Sequence, residues 1–326
     1  GEVPNKAFYV ENVTGSATID MATGAIMPVK AGTIKVYAVV NGVETEEGSI
    51  DTEHVILAIG HSARDTFEML EETGIPMEPK PFAMGVRIEH KQTTVDASQY
   101  GMVSSVLPPA DYKLVQHLED ATVYTFCMCP GGYVVAAASE EGGVAVNGMS
   151  KFARDARNSN SALLVGVAPS DLPSDDVLAG VALQRQMEHA AFVLGGGDYR
   201  APVQLVGDLC AGRASHSLGD VEPSYLPGVT PADLRECLPA FVADSLRIAL
   251  PELGKKLRGF DRYDAVLTGV ESRSSSPVRL LRDENGQSAV AGVFPCGEGA
   301  GYAGGITSAA VDGVNAALAL LARYRR

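Results

Sequence analysis

An α/β fold assembled from both ends of the chain and interrupted by an α+β insertion is what the sequence predicts, on three observations. Residues 55–59 (VILAI) form an apolar run that meets Gly60, then a helical stretch carrying Phe67 and Leu70, closed by Gly74. Such a run bounded by glycine fits a buried parallel strand, and the glycine lets the backbone turn sharply. Residues 293–321 repeat this order, with a glycine loop in which Gly299, Gly301 and Gly304 spell G-x-G-x-x-G. The helix after it places Ile306, Ala310, Val314, Ala317 and Leu321 at helical spacing. Between these ends, strands and helices lack βαβ regularity, which argues a separate α+β domain. The fold class is therefore α/β, with an outer domain from residues 1–77 and 264–326 and residues 78–263 inserted as an α+β domain.

Element by element, the first signal is the β-rich stretch from Thr33, where Asn41-Gly42 predicts a hairpin turn. Ser62 is read as the start of the helix that Gly74 closes. Pro76, Pro79 and Pro81 mark a composition shift and the crossing into the insertion. There PFAMGVRIEH, VYTFCMC, GYVVAAAS, GGVAVNGMS and SALLVGVAP read as strands, with Pro130-Gly131-Gly132 breaking two of them. Ser174 is read as the N-cap of a helix to Leu194 with Val177, Val181, Met187 and Ala190 on its apolar face, stopped by three glycines. Thr230-Pro231-Ala232-Asp233 reads as a capping box opening a helix, and Pro239 divides it from a second helix through Leu250. DAVLTGV and PVRLLRDENGQSAVAGVFP return to strand patterns, with Asn285-Gly286 as a hairpin turn.

Composition narrows the function class. With 326 residues, two domains are the default; 46% hydrophobic and 20% charged residues describe a soluble globular protein. No apolar run is long enough to span a bilayer, and the start shows no leader. Gly1 in place of Met is read as a trimmed end. A net charge of −14 argues against a broad nucleic-acid face, which needs clustered Lys and Arg. Five thinly spread cysteines fit a reducing compartment, and the expected location is cytoplasmic. No second cysteine or histidine cluster accompanies Cys127-Met128-Cys129, so no zinc site is expected.

The literal G-x-G-x-x-G does not behave as a dinucleotide fingerprint. A fingerprint opens a βαβ unit with an acidic ribose ligand about 20 residues on, whereas Arg326 follows one helix later. The loop then serves a phosphate or ring bound mainly elsewhere. Its glycines permit close backbone approach, and the helix N-terminus offers unpaired N–H groups and partial positive charge; the plain alternative is a tight strand-to-helix turn.

The tracts GHSARDTFEML (60–70), KPFAMGVRIEH (80–90), YTFCMCPGGYVVAAASE (124–140), NGMS (147–150) and PCGEGAGYAGGITSAAVDG (295–313) resemble bacterial FAD-dependent dehydrogenase-like flavoproteins with a glutathione-reductase-like FAD domain. The resemblance implies a partial FAD/NAD(P)-binding Rossmann-like domain, whose middle motif is carried by Ala58 and Gly60, with residues 78–263 as an inserted α+β substrate domain. Its C-terminal loop would carry Gly297, Glu298, Gly299, Gly301 and Tyr302, then Gly304, Gly305 and Ile306 at the helix start. Glu298 stands where many relatives have Asp, and the N-terminal G-x-G-x-x-G unit is missing, so the chain resembles a truncated member. FAD is the implied cofactor. The implied activity is hydride transfer through the flavin to or from a small substrate; the alternative is a non-catalytic ligand-binding or interaction protein on the same scaffold.

His61 is a candidate acid or base beside the ring, or else a buttress of the next helix. Cys127 and Cys129 share a strand face as two small buried hydrophobes, or Cys129 opens a turn that brings a catalytic thiol to substrate. Arg64 reads as a phosphate ligand or a solvated helix residue. The Gly195 tract reads as a helix cap, and Arg273 as part of a hairpin connection or a residue facing the cleft.

Overall fold

The computed structural model describes residues 52–101 and 106–323 with their side chains, the backbone of Tyr324, and the backbone of short strands between Glu11 and Ile50. Among those strands, Ala38–Val39, Gly42–Thr45 and Gly48–Ile50 pair antiparallel in sequence order. Gly42 is thus already in a strand, while Thr33 and Asn41 lie outside the described residues. The chain packs as two compact units, one from residues 1–81, 169–181 and 275–326, the other from 82–168 and 182–274.

The first unit begins with β1 (Val55–Leu57), shorter than the apolar run that predicts it and with Ile56 exposed. Helix α1 (Arg64–Glu72) starts two residues beyond Ser62, without a side-chain cap. Phe67 and Leu70 are fully buried, as their spacing requires. Gly74, at φ +76°, ends the helix by donating to Glu71 O, and Ile75 N–H returns to Leu70 O. Strand β2 (Met77–Pro79) follows.

The second unit is built on β3 (Phe82–Lys91), followed by α2 (Gln92–Tyr100), β4 (Val115–His117), β5 (Thr122–Cys129), β6 (Gly132–Ala136), β7 (Val146–Ser150) and β8 (Asn158–Val167). Then come α3 (Ala179–Gly195), β9 (Ala201–Leu205), α4 (Val206–Cys210), β10 (Val229–Pro231), α5 (Ala240–Lys256) and β11 (Val266–Glu271). Seven strands form one sheet in the order β4-β5-β8-β3-β11-β9-β10, antiparallel except for β9 beside β10; β6 and β7 pair separately. In β3 both faces are buried. Met84, Val86 and Ile88 fill one, while Arg87 and Glu89 stand on the other.

Two local readings, those at Thr230 and at DAVLTGV, lose to longer-range pairing. The stretch at Thr230 is not a helix: Val229–Pro231 lies parallel to β9, and Asp233 caps only the short turn Leu234–Glu236. Proline is tolerated there because β10 is the sheet edge. Helix α5 starts after Pro239 and runs past Leu250 to Lys256. Helix α3 starts at Ala179 rather than after Ser174, with Asp176 accepting Leu178 N–H at 2.7 Å. DAVLTGV, read as part of the outer segment, supplies β11 and pairs with β3 from Gly85↔Glu271 to Glu89↔Val266.

The chain then returns to the first unit with β12 (Val278–Leu280), β13 (Val293–Pro295) and α6 (Ile306–Tyr324). Gly286 does turn the chain at φ +78°, with the Asp283 carboxylate accepting Asn285 and Gln287 N–H. Its flanks, however, do not form a hairpin: β12 pairs with β2, and β13 lies parallel to β1. The core joins Leu57, Phe67, Leu70, Val278, Leu280 and Val293. Helix α6 corrects the sequence reading most. Ile306, Ala310, Val314 and Leu321 are exposed and Ala317 half-buried, while Asp312 and Ala316 face inward.

Candidate functional site

Parallel pairing of β1 and β13 sets Leu57 opposite Pro295, so both strands deliver their glycine turns at the same end. Cys296 N–H donates to Leu57 O at 2.9 Å and locks the two exits together. Gly60 and Gly297, at φ +72° and +77°, take backbone conformations that disfavour other residues. Gly299 is required by packing, since a Cβ there would lie 2.5 Å from Gly60 O. Thus Ala58, Gly60 and the 297–306 loop, predicted as two segments of one site, form one continuous backbone surface.

Gly304 differs from these. Its φ is not positive, and a Cβ there would meet nothing within 4 Å, as is also the case at Gly60 and Gly297. Neither conformation nor packing within the chain demands glycine at 304. Gly305 O accepts Ala309 N–H at 2.9 Å, so the first turn of α6 starts here, leaving the N–H groups before it without intrahelical partners. Ile306 is 93% exposed at this turn.

Side chains from four segments converge behind the loop. Asp312 on α6 accepts Gly297 N–H at 2.7 Å and both Arg282 Nη groups at 3.0 and 2.6 Å. Arg282 also donates to Pro295 O at 2.8 Å, so the pair clamps the residues on either side of Cys296. Burial raises the Asp312 carboxyl, but the Arg282 and Gly297 hydrogen bonds outweigh it and hold it below the ordinary range. The Arg282 guanidinium stacks 3.7 Å over the Tyr302 ring, fixing that side chain. Gly301, at φ +80°, packs against Val278 O and Arg279.

His61 stands at the turn itself, its Nδ1 3.5 Å from Glu298 Oε1. Its Nε2 is buried and has no hydrogen-bond partner among the described residues. His61 therefore pairs the two loops rather than capping α1. Lys80, which sequence reasoning passed over, lies in the same electrostatic neighbourhood. It donates to Pro81 O and Ser276 O at 3.1 and 3.3 Å. Burial lowers its ammonium, Arg279 lowers it further, and Glu298 opposes both. Lys80 and Asp312 lie in the 80–90 and 295–313 tracts, but neither was singled out there; only the fold brings them to the loop. Arg64 is buried, not solvated.

Cys129 belongs to the second unit. A bulge between Phe126 and Cys129 breaks the strand alternation, leaving Cys127 exposed at φ +44° and Cys129 half-buried, so the two thiols do not share a buried face. Arg87, fully buried, lies behind them. It donates to Asn160 Oδ1 at 2.8 Å and Cys127 O at 2.5 Å, reaches Cys129 Sγ at 3.4 Å, and pairs with Glu271 at 3.3 Å. Arg273 makes a buried ion pair with Glu188 at 2.7 Å, and the Gly195 tract forms the C-terminal cap of α3. No group of three or more metal-ligating side chains occurs among the described residues.

A curated protein of Clostridium beijerinckii, carried as "Uncharacterized protein", is 50% identical over 281 residues, covering 85% of this chain and 53% of the relative. The chain thus spans about half the length of the curated relative it matches. A family model described as "FAD-dependent protein, C-terminal domain-like" matches residues 81–274, which take in Cys129 and the whole second unit. That match covers more than half of the 326 residues, and the chain belongs to the FAD-dependent protein C-terminal domain-like family.

Proposed function

We propose that the chain is part of an FAD-dependent oxidoreductase in which the first unit, a partial Rossmann-like domain, supplies one wall of the flavin site. The observation that carries this reading is Gly304, a glycine that neither its φ nor its packing requires. A ligand pressed against the loop supplies the requirement. Family membership supports FAD as that ligand.

Gly60, Gly297, Gly299, Gly301, Gly304 and Gly305 would hold the cofactor by backbone approach, with Ala58 and Tyr302 shaping the edges of the loop and Ile306 opening the helix. Bound flavin supplies hydride acceptance or donation at its N5. The N-terminal end of α6 presents partial positive charge to an anionic group. The His61–Glu298 pair is positioned to hold or move a proton at Nε2, the ring nitrogen without a partner. Cys129 is proposed as the thiol that meets substrate in the second unit, supported by its partial exposure and its contact with Arg87. In this reading the protein works in a reducing, cytoplasmic setting and turns over a small molecule.

The test is a titration of FAD fluorescence with wild-type chain and with Gly304→Val. Saturable quenching weakened at least tenfold by the substitution, a loss of about 1.4 kcal/mol, supports the reading. Equal quenching by both proteins removes the loop from the site.

A further inference from the structure

We propose that Glu89 is the proton acceptor of the Cys129 thiol, working through a buried water held by Asn158 and Asn160. The inference rests on the reading of Cys129 as the thiol that meets substrate, and it needs no flavin. Antiparallel register sets Cys129 on β5 opposite Asn160 on β8, and Asn160 opposite Glu89 on β3. Directly opposed residues share a face of the sheet, so the three make one row across adjacent strands. The row opens at Cys129, which is half-buried, and closes at Glu89, which is fully buried.

Two amides on β8 leave unpaired atoms beside this row. Asn160 Oδ1 accepts Arg87 Nε–H at 2.8 Å, while Asn158 Nδ2 donates to Glu89 Oε1 at 3.1 Å and Glu222 O at 2.7 Å. These bonds fix both amide orientations. Asn160 Nδ2, a donor, and Asn158 Oδ1, an acceptor, then have no partner among the described residues, although both side chains are buried. Buried groups of this kind are met by ordered water. A water here accepts from Asn160 Nδ2 and the Cys129 thiol and donates to Asn158 Oδ1 and the Glu89 carboxylate, which completes its four hydrogen bonds. The backbones of β5 and β3 lie about 10 Å apart, two strand spacings, which two side chains and a water bridge. In the transfer the S–H bond breaks and its proton passes to the water as the water's own proton moves to a Glu89 oxygen. A thiolate and a neutral carboxyl result, with no net charge created in the interior. Both ends favour this distribution. Arg87 Nη2 faces Sγ at 3.4 Å, and burial raises the Glu89 carboxyl against the Ser224 and Asn158 hydrogen bonds and the Arg87 charge, which lower it. The thiol's acceptor at 3.3 Å, Cys127 O, keeps its bond from Arg87 Nη2 when the proton leaves. Other charged groups along this face are committed: Glu271 to Arg87, Lys91 to Asp220 and Glu222 to Arg157. The Tyr112 phenol near Cys129 is held above its ordinary range by burial.

The test follows alkylation of Cys129 by iodoacetamide across pH with site-resolved mass spectrometry. It uses the whole chain without added FAD, as wild type, Glu89→Gln and Glu89→Asp, with folding checked by circular dichroism. Thiol and carboxyl titrate as a pair, so the wild-type rate is expected to rise with pH in two steps. At neutral pH it is expected to exceed that of Glu89→Gln by at least about tenfold, the equivalent of one pH unit. Glu89→Gln is expected to show one step, and Glu89→Asp, which keeps a carboxylate, to recover part of the rate. Cys127, exposed on the same strand, is expected to react alike in all three proteins. A single step in the wild type, equal Cys129 rates in wild type and Glu89→Gln, or a loss shared by Cys127 overturns the proposal. If Glu89→Gln does not fold, the wild-type profile and Glu89→Asp decide. A Cys129 that reacts in none of the proteins sinks the substrate-facing thiol and the relay together, whereas a reactive Cys129 indifferent to Glu89 sinks the relay alone. Failure of FAD to bind leaves the relay standing.

Discussion

Asp312 fixes the glycine loop by accepting from Gly297 and Arg282, and its removal leaves Gly297 N–H and Arg282 Nη2 without their acceptor. Asp312→Ala is expected to lower unfolding stability by about 1–3 kcal/mol in urea titrations at neutral pH. Because its carboxyl sits below the ordinary range in the folded protein, its contribution is complete above the unfolded-state value. It is lost as pH falls through the folded one, so the difference between wild type and variant should shrink on strong acidification. His90 gives a second, separate pH dependence. Burial lowers its imidazole to about 4 from 6.5, while Nε2 is 2.7 Å from Phe260 O. The unfolded chain then binds the extra proton first, so stability should fall by roughly 3 kcal/mol as pH drops from 6.5 to 4. His90→Gln should flatten that decline. The thiols also sort by environment: burial pushes Cys237 up to about 12, so iodoacetamide at neutral pH should label Cys127 and Cys129 and spare Cys237. At this scale the glycines of the loop were legible, because G-x-G-x-x-G is a pattern of near neighbours in sequence, although the contact that requires Gly299 comes from Gly60. Lys80 and Asp312 were not, since each meets the loop only through the fold, Asp312 from fifteen residues beyond Gly297.

Among elements, four central strands already joined by backbone pairing are also bridged by one side chain. Arg87 on β3 reaches β5 at Cys127 O, β8 at Asn160 and β11 at Glu271, all in the protein interior. Arg87→Leu leaves the Glu271 carboxylate buried and unpaired, and chemical denaturation should show a loss of about 3–5 kcal/mol. Adding Glu271→Gln should restore part of it; no restoration would assign the loss to packing rather than charge. Continuous apolar runs such as residues 162–165 announced their strands because burial on both faces needs no alternation. Thr230 misled because its capping-box letters are satisfied locally, whereas the parallel register with Ala201 to Val203 is set across the sheet. Helix α6 misled in orientation. Its inward side is chosen by the Asp312 clamp, and periodicity alone assigns apolar residues inward.

For the whole molecule, two compact units divide the reading. The family match lies on residues 81–274, and the glycine surface on residues 58–60 and 297–306 of the other unit. That both ends of the chain belong to one unit was legible from two apolar runs each ending in glycine; that β1 and β13 pair parallel within it is a finding of the structure. The boundary at the far side of the insertion was not, because DAVLTGV has the composition of either unit and only the β3 register assigns it. The central claim is that the paired glycine loops touch flavin. The most direct measurement is the quenching of FAD fluorescence by the purified chain, compared with that by Gly304→Val at equal fold content. Saturable quenching by the wild type, weakened at least tenfold in the variant, is the expected result; absence of quenching by the wild type, or identical curves for the two proteins, would contradict the account.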